Sequence, residues 1–358
     1  MNLFKSFHWK LFIACVLIGL FGILNIYSAD AHAGGQYAIK QFVWLVIAVG
    51  VMFVVYAVGY RPFLNVAYIL YILALILLGI VLTIGAIRSG AQRWLHLGGF
   101  AIQPSEFTKL VTILTLASFL GSRKHLARGR SGLICAFLLT VVPLIMIVKQ
   151  PDLGTAIIFL PILFCMVFIW GAKLRYLIGT ILMGAVFSPI FWFSLREYQK
   201  RRLLVFINPD IDPLGSGYTA VQSRIAVGSG GFIGKGFLGG TQHLLAFLPE
   251  DHTDFIFGVL AEEWGFLGAL LLLLLYAMMI WQMFSILNHT TDIKARLLAT
   301  GIISMFVFHI FINMGMTMGI MPITGLPLPM VSYGGSSLVT FFVAIGLVLS
   351  IYKERSVF

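Results

Sequence analysis

Charge is what this sequence has least of. Only 10% of its 358 residues are Asp, Glu, Lys or Arg, against about 25% in soluble domains. Acids are the scarcest, with 13 Asp and Glu facing 24 Lys and Arg. At 60% hydrophobic residues and a mean hydropathy of +1.00, the chain has too little polar surface to clothe a water-soluble body, which excludes a soluble enzyme or binding module. Cysteine is nearly absent as well. Cys15, Cys135 and Cys165 each lie inside an apolar run, and an odd number so placed excludes a disulfide framework and leaves small buried hydrophobes. The first apolar run, 11–28, carries no small-residue cleavage pattern, so it reads as a retained helix rather than a signal peptide.

What is present in quantity is apolar sequence, in runs of the length that crosses a bilayer, about 20 residues. They fall at 11–28, 41–59, 64–87, 106–120, 131–148, 153–170, 177–195, 255–285, 298–318 and 336–352. The expectation is an all-α integral membrane protein with about ten transmembrane helices, forming a single polytopic domain over 1–358. Ten crossings put both termini on one side. With the N-terminus inside, Lys5, Lys10, Arg61, Arg123, Lys124, Arg128, Arg130, Lys173, Arg175, Lys294, Arg296, Lys353 and Arg355 are cytoplasmic, and the short loops opposite hold only Lys40, Arg88, Arg93 and Lys149. That asymmetry sets the orientation. It also explains most of the net charge of +11 without a nucleic-acid partner.

The external side is then the informative one. A long loop, 196–254, separates the seventh and eighth helices and holds many glycines between Gly228 and Gly240. Loops of this length are commonly functional, and 220–227 has the pattern of a short amphipathic helix, so the loop is expected to be structured and to lie back on the membrane. The last external loop, 319–335, has Pro322, Pro327 and Pro329 and no charge. It is expected to be re-entrant, a conformation tolerated only against protein or a wet cavity.

Polar residues gather where helices start on this side. Asp254 ends the long loop in Pro249-Glu250-Asp251-His252-Thr253-Asp254; it is either an N-cap or a carboxylate placed to take a proton from a hydroxyl. Glu262 and Glu263 lie deeper, as a structural ion pair or as functional groups. Glu106 and Lys109, spaced i,i+3 after Gln103-Pro104-Ser105, are a neutralised pair or an ammonium held ready for a phosphate. Trp94, after Arg93, is an interfacial aromatic or a site residue. Asp152 opens the sixth run as a cap or a site acid. Ser332, before Gly334 and Gly335, opens the tenth, where backbone amides can approach an anion.

Taken together, Ala91-Gln92-Arg93-Trp94, Gln103 to Lys109, Gln150 to Thr155, Gly228 to Gly236, Phe247 to Phe257 and Pro327 to Ser337 resemble the SEDS family (shape, elongation, division and sporulation), in family order over nearly the whole chain. The short termini are similar to those of its elongation members. The resemblance implies a peptidoglycan glycosyltransferase that polymerises lipid II outside the cytoplasmic membrane. It also implies a class B penicillin-binding protein and other elongation-complex membrane proteins as partners. It puts the essential acid on Asp254, the functional tryptophan on Trp94 and the buried pair on Glu106 and Lys109. Arg93, Asp152, Gln222, Glu250, His252 and Ser332 complete the expected substrate-binding set, and Asp251 has no assigned role. No cofactor is called for by the residues. A divalent cation, Mg2+ or Mn2+, is compatible with diphosphate chemistry and, lacking a carboxylate cluster, would be held partly by substrate phosphates. Two rival functions stay open: a transporter that flips lipid-linked sugars, and a non-catalytic scaffold for wall synthesis.

Overall fold

The structure is a computed structural model that describes residues 7–31, 34–88, 91–97, 100–122, 130–244 and 247–355. Arg123, Lys124 and Arg128, which bear on the orientation, lie outside the described residues, as does Lys5.

Leu, Ile, Val and Phe dominate the long runs, and each run lies on a helix except 64–87, which takes in the end of α3, all of α4 and the start of β1. The chain forms α1 (Trp9–Ala29), α2 (Gln36–Val58), α3 (Tyr60–Asn65), α4 (Ala67–Ile84), three short strands β1 (Ala86–Arg88), β2 (Ala91–Leu97) and β3 (Phe100–Ile102), then α5 (Pro104–Ser122), α6 (Arg130–Lys149), α7 (Leu153–Trp170) and α8 (Leu174–Ser194). The long loop is built of α9 (Glu197–Ile207), a 3-10 turn at Pro209–Ile211, α10 (Ser216–Ser229) and α11 (Thr241–Leu244). The chain ends with α12 (Ile256–Asn288), α13 (Ile293–Thr317) and α14 (Gly335–Arg355). Among the described residues seven helices, α1, α2, α6, α7, α12, α13 and α14, are long and apolar enough to cross a membrane. Their outward faces expose Phe42, Val46, Val54, Ile134, Leu138, Leu271 and Leu274, a surface that only hydrocarbon solvates well. The chain is a multi-pass membrane protein.

The expectation of a purely α-helical chain needs one correction. Residues 86–102 form a small antiparallel sheet in the order β1-β2-β3, with Arg88 opposite Ala91 and Leu97 opposite Phe100. Between two helix ends the backbone has no partner of its own, and pairing with itself satisfies its N–H and C=O groups.

α5 and α13 form the centre. α13 is 83% buried over its most apolar window, whereas α6 is 28% buried. α5 carries Glu106, Lys109 and several hydroxyl side chains and is buried almost throughout. Its Thr108 and Thr115 hydroxyls return to carbonyls one turn back, at 2.8 and 2.9 Å, so it carries hydroxyls into the core without orphaning them.

α12 is not the straight span that its apolar run suggests. It breaks at Gly265 (φ 63°, ψ −158°). The glycine turn after α10 supplies the hydrogen bonds lost there. Lys235 N–H and Gly236 N–H donate to the Glu262 and Glu263 carbonyls at 3.0 and 2.9 Å, and Phe266 and Leu267 N–H donate to Gly231 and Phe232 at 3.0 and 3.2 Å. A Cβ on Gly234 would collide with the Glu263 carbonyl, and its φ of +87° already disfavours side chains. The turn at 230–236, with Gly230 and Gly234 packed against the α12 backbone, is therefore a splint for a broken helix.

Candidate active site

Between α13 and α14 the chain runs without helix but deep in the bundle: Leu326, Leu328, Met330 and Val331 are buried. Irregular backbone at such a place must be satisfied by neighbours. Asn313 Nδ2 donates to Leu326 O (2.7 Å), Tyr276 Oη to Pro329 O (2.5 Å) and Gln41 Nε2 to Ser332 O (3.0 Å). Ser332 Oγ accepts Leu328 N–H at 2.7 Å and donates to Thr253 O at 2.6 Å. This fixes the segment against the approach to α12.

Asp254 lies on that approach. The N-cap of α12 is Phe255, with no side-chain cap, so Asp254 is free of the bland role open to it in the sequence. Its half-buried carboxylate meets Gly325 of the buried segment (φ +72°); a Cβ there would stand 3.1 Å from Asp254 Oδ2 and 3.7 Å from Arg202 Nη1. The carboxylate and the Arg202 guanidinium thus converge on one glycine. Burial, reinforced by Glu250, pushes the Asp254 carboxyl up to about 6, against the opposing pull of Arg202 and Arg93. Burial, together with Arg93, lowers Arg202 in turn.

Arg93 comes from β2. Its Nη2 donates to Pro151 O at 2.5 Å and its Nη1 stands 3.6 Å from Asp152 Oδ1. Tyr198 of α9 donates to the same Pro151 carbonyl at 2.6 Å. Asp152 caps α7, accepting from Thr155 N–H at 3.2 Å and Thr155 Oγ1 at 2.9 Å, and also accepts from Gln103 Nε2 at 3.1 Å. Arg93, Tyr198 and Arg202 line a cleft of about 30 Å³ that shares Leu153, Ile157 and Leu203 with an apolar groove of about 460 Å³ between α6, α7, α8 and α9. A charged mouth and a greasy channel therefore have a common wall.

The other predicted residues are distributed unevenly. Trp94 follows Arg93 on β2, paired with Ala86. Gln222 is half-buried on α10 and does not line the cleft. Glu250 accepts from Thr253 Oγ1 at 3.1 Å. His252 stacks on Tyr37 with centroids 4.5 Å apart and the planes 7° from parallel. Asp251 gains a local role as the partner of His252, at 3.0 Å from Nδ1. Glu262 holds Lys235 at 2.6 Å and the α11 N-terminus at Thr241 (2.8 Å), and Glu263 accepts from Ser28. Glu106 and Lys109 pair at 2.8 Å, fully buried, and do not line the cleft. Lys109 Nζ also lies 2.8 Å from His309 Nε2, so that nitrogen is the acceptor. No group of three or more His, Cys, Asp or Glu side chains that could hold a metal occurs among the described residues.

Arg202, Tyr198, His309 and Asn313 were not among the sequence candidates. Arg202 hides in the basic run 200–202. His309 and Asn313 carried a signal, since polar residues spaced i,i+4 inside an apolar helix mark an interior face.

The model of the Cell cycle protein family, which covers FtsW, RodA and SpoVE, matches residues 8–357. The chain is 39% identical over 337 residues to "Peptidoglycan glycosyltransferase MrdB" of Escherichia coli (strain K12), covering 94% of this chain and 90% of that protein. It is 34% identical over 431 residues to "Peptidoglycan glycosyltransferase RodA" of Treponema pallidum (strain Nichols), covering 98% of each. Its fold is similar to a chain solved in work on the coordination of polymerization and crosslinking by a peptidoglycan synthase complex (TM-score 0.84, 35% identity, 98% of each chain). It is also similar to the rod shape determining protein RodA of Thermus thermophilus (TM-score 0.74, 30% identity, 98% of this chain and 97% of that one). With matches of this extent running through every site segment, the chain belongs to the SEDS family of FtsW-, RodA- and SpoVE-like membrane proteins.

Proposed function

We propose that this chain is a peptidoglycan glycosyltransferase that polymerises lipid II at the external face of the bacterial cytoplasmic membrane during elongation. The observation that carries the reading is the convergence of Asp254 with Arg202 at Gly325, with Arg202 and Arg93 lining a cleft that shares a wall with an apolar groove. The groove suits a polyprenyl tail, and the cations suit a diphosphate. Asp254 takes the proton of the acceptor sugar's 4-hydroxyl as that oxygen attacks the donor's anomeric carbon. The bond to the lipid diphosphate breaks, the centre inverts, and Arg93 and Arg202 stabilise the departing charge. With its carboxyl at about 6, Asp254 is mostly ionised at neutral pH and still basic enough to act. A divalent ion, if one joins the reaction, would be held by substrate phosphates with few protein ligands.

On this reading α4, α5 and α8 also cross the membrane, giving ten spans, both termini are cytoplasmic, and residues 195–255 lie outside. A class B penicillin-binding protein is the natural partner, a reading supported by the similarity to a synthase complex that couples polymerization to crosslinking. The test is glycan formation from lipid II by the purified chain, with every bifunctional synthase absent. A lipid-linked sugar transporter or a scaffold would form no polymer in that assay.

A further inference from the structure

α13 carries one amide at the level of the site. Asn313 is fully buried, and its Nδ2 donates two hydrogen bonds, to Asp254 O at 2.9 Å and to Leu326 O at 2.7 Å. Both acceptors are backbone carbonyls, which accept only, so the amide orientation is fixed and both N–H groups are used. Asn313 Oδ1 is buried with no partner among the described residues. A leucine of similar size would spare that oxygen but leave both carbonyls without their donor, so the amide is there for its two bonds rather than its bulk. What the amide uniquely supplies is a link. One acceptor is the backbone of Asp254 itself; the other is next to Gly325, whose open Cα side faces the Asp254 carboxylate. The two segments that enclose the carboxylate are tied to one side chain on α13, at the centre of the bundle.

We propose that Asn313 is a positioning residue for Asp254, holding the carboxylate against the Gly325 turn so that it faces the acceptor hydroxyl in a site sheltered from water. This rests on the general-base reading of Asp254. The charged groups acting on the carboxylate are Glu250 from its own segment, Arg202 from α9, Arg93 from β2 and Asp152 from the start of α7; the buried segment 320–334 brings none. Asn313 is uncharged, so its effect on Asp254 runs through burial. If the tie is cut, the Gly325 turn relaxes, water reaches the carboxylate, and the burial that raises its proton affinity is relieved.

The test is lipid II polymerisation by folded Asn313→Leu, measured as kcat and KM across pH. The expected result is a loss of kcat of about 10–100-fold, the scale of a small misplacement of a reacting group. KM should stay within about threefold of the parent, and the acid limb of the rate profile should move down toward the ordinary carboxylate range. If Asn313→Leu does not fold, Asn313→Ser, which shrinks the side chain and keeps one donor, is read in the same way. An unchanged kcat and acid limb overturn the proposal. So does a loss of rate that only tracks the loss of folded protein while the acid limb stays in place. Asp254→Asn is assayed alongside: if it is active, the base assignment fails; if it is inactive while Asn313→Leu behaves as the parent, only the present inference fails.

Discussion

A carboxylate that serves as a base must be neither capped nor neutralised, and Asp254 meets both conditions in an unusual place for an acid. It precedes the helix without capping it, and its guanidinium neighbours stop short of cancelling the burial that raises its pKa. Asp254→Asn keeps shape and loses basicity, so polymerisation should fall by about 10² to 10⁴-fold, measured on folded protein; near-parental rates would remove Asp254 from the chemistry. The pH dependence follows with a definite sign. The carboxyl must be ionised to act, so kcat/KM should fall as pH drops through about 6. Because folding raises this pKa, the native state holds the proton more tightly than the unfolded one. Stability from this group is therefore greatest below the unfolded value of 3.8 and declines as pH rises through about 6. Above pH 6, Asp254→Asn should melt no lower than the parent and slightly higher. Asp254 was legible in the sequence because its neighbours in the chain mark the end of a loop and the start of a helix. Arg202 was not, because its relevance arises only where α9 packs against residues far away in the chain; Asn313 left only the i,i+4 polar spacing with His309, and its tie to Asp254 arises only where α13 packs against the start of α12.

Elements explain what single residues do not. The pairing of α5 with α13 runs through Glu106, Lys109 and His309, all buried. Lys109→Met leaves Glu106 as an unpaired buried acid, which should cost about 3–5 kcal/mol; adding Glu106→Gln should recover most of it. Thermal unfolding of the single and double variants checks this, and a silent single variant would mean that the pair is dispensable. The break in α12 gives a second prediction. Gly234→Ala forces a side chain into the Glu263 carbonyl at a φ of +87° and should cost about 1–3 kcal/mol. Gly228→Ala, with nothing near its Cβ, adds a better helix former to α10 and should be neutral or gain up to about 1 kcal/mol. If both alanines melt alike, the splint is not what the glycines are for. The positions of the helices could be read from apolar runs because each is long and unbroken. The kink could not, since Gly265 lies inside an apolar run and its conformation depends on a turn more than 30 residues earlier. Nor could the strands at 86–102, three to seven residues each, whose pairing is local to that one segment.

At the scale of the molecule the two ends of the bundle are chemically distinct, and the contacts sort the segments between them. One end gathers Tyr60 with Asp292 (3.0 Å), Arg61 with Glu354 (2.7 Å) and Lys353 with Ala57 O (3.1 Å). The other gathers Gln103 with Asp152, Arg93 and Tyr198 with Pro151, and His252 with Tyr37. The first end carries Arg61, Lys173, Arg175, Lys294, Arg296 and Lys353 on short connections or next to them, which the positive-inside rule assigns to the cytoplasm. The second carries the site and the long segment 195–255. On the proposed function, a substrate with a polyprenyl tail would reach that site from within the outer leaflet, through the groove between α6 and α9. The orientation is therefore part of the function and can be tested directly. A single cysteine placed at the exposed Leu214, on a background in which Cys15, Cys135 and Cys165 are replaced, should react with a membrane-impermeant thiol reagent in intact cells from which any outer barrier has been removed. One placed at Ser122, beside the 123–129 connection, should react only after the membrane is permeabilised. The opposite pattern would put Asp254 on the cytoplasmic side, where it could not extend a glycan outside the membrane, and would overturn the proposed function along with the topology.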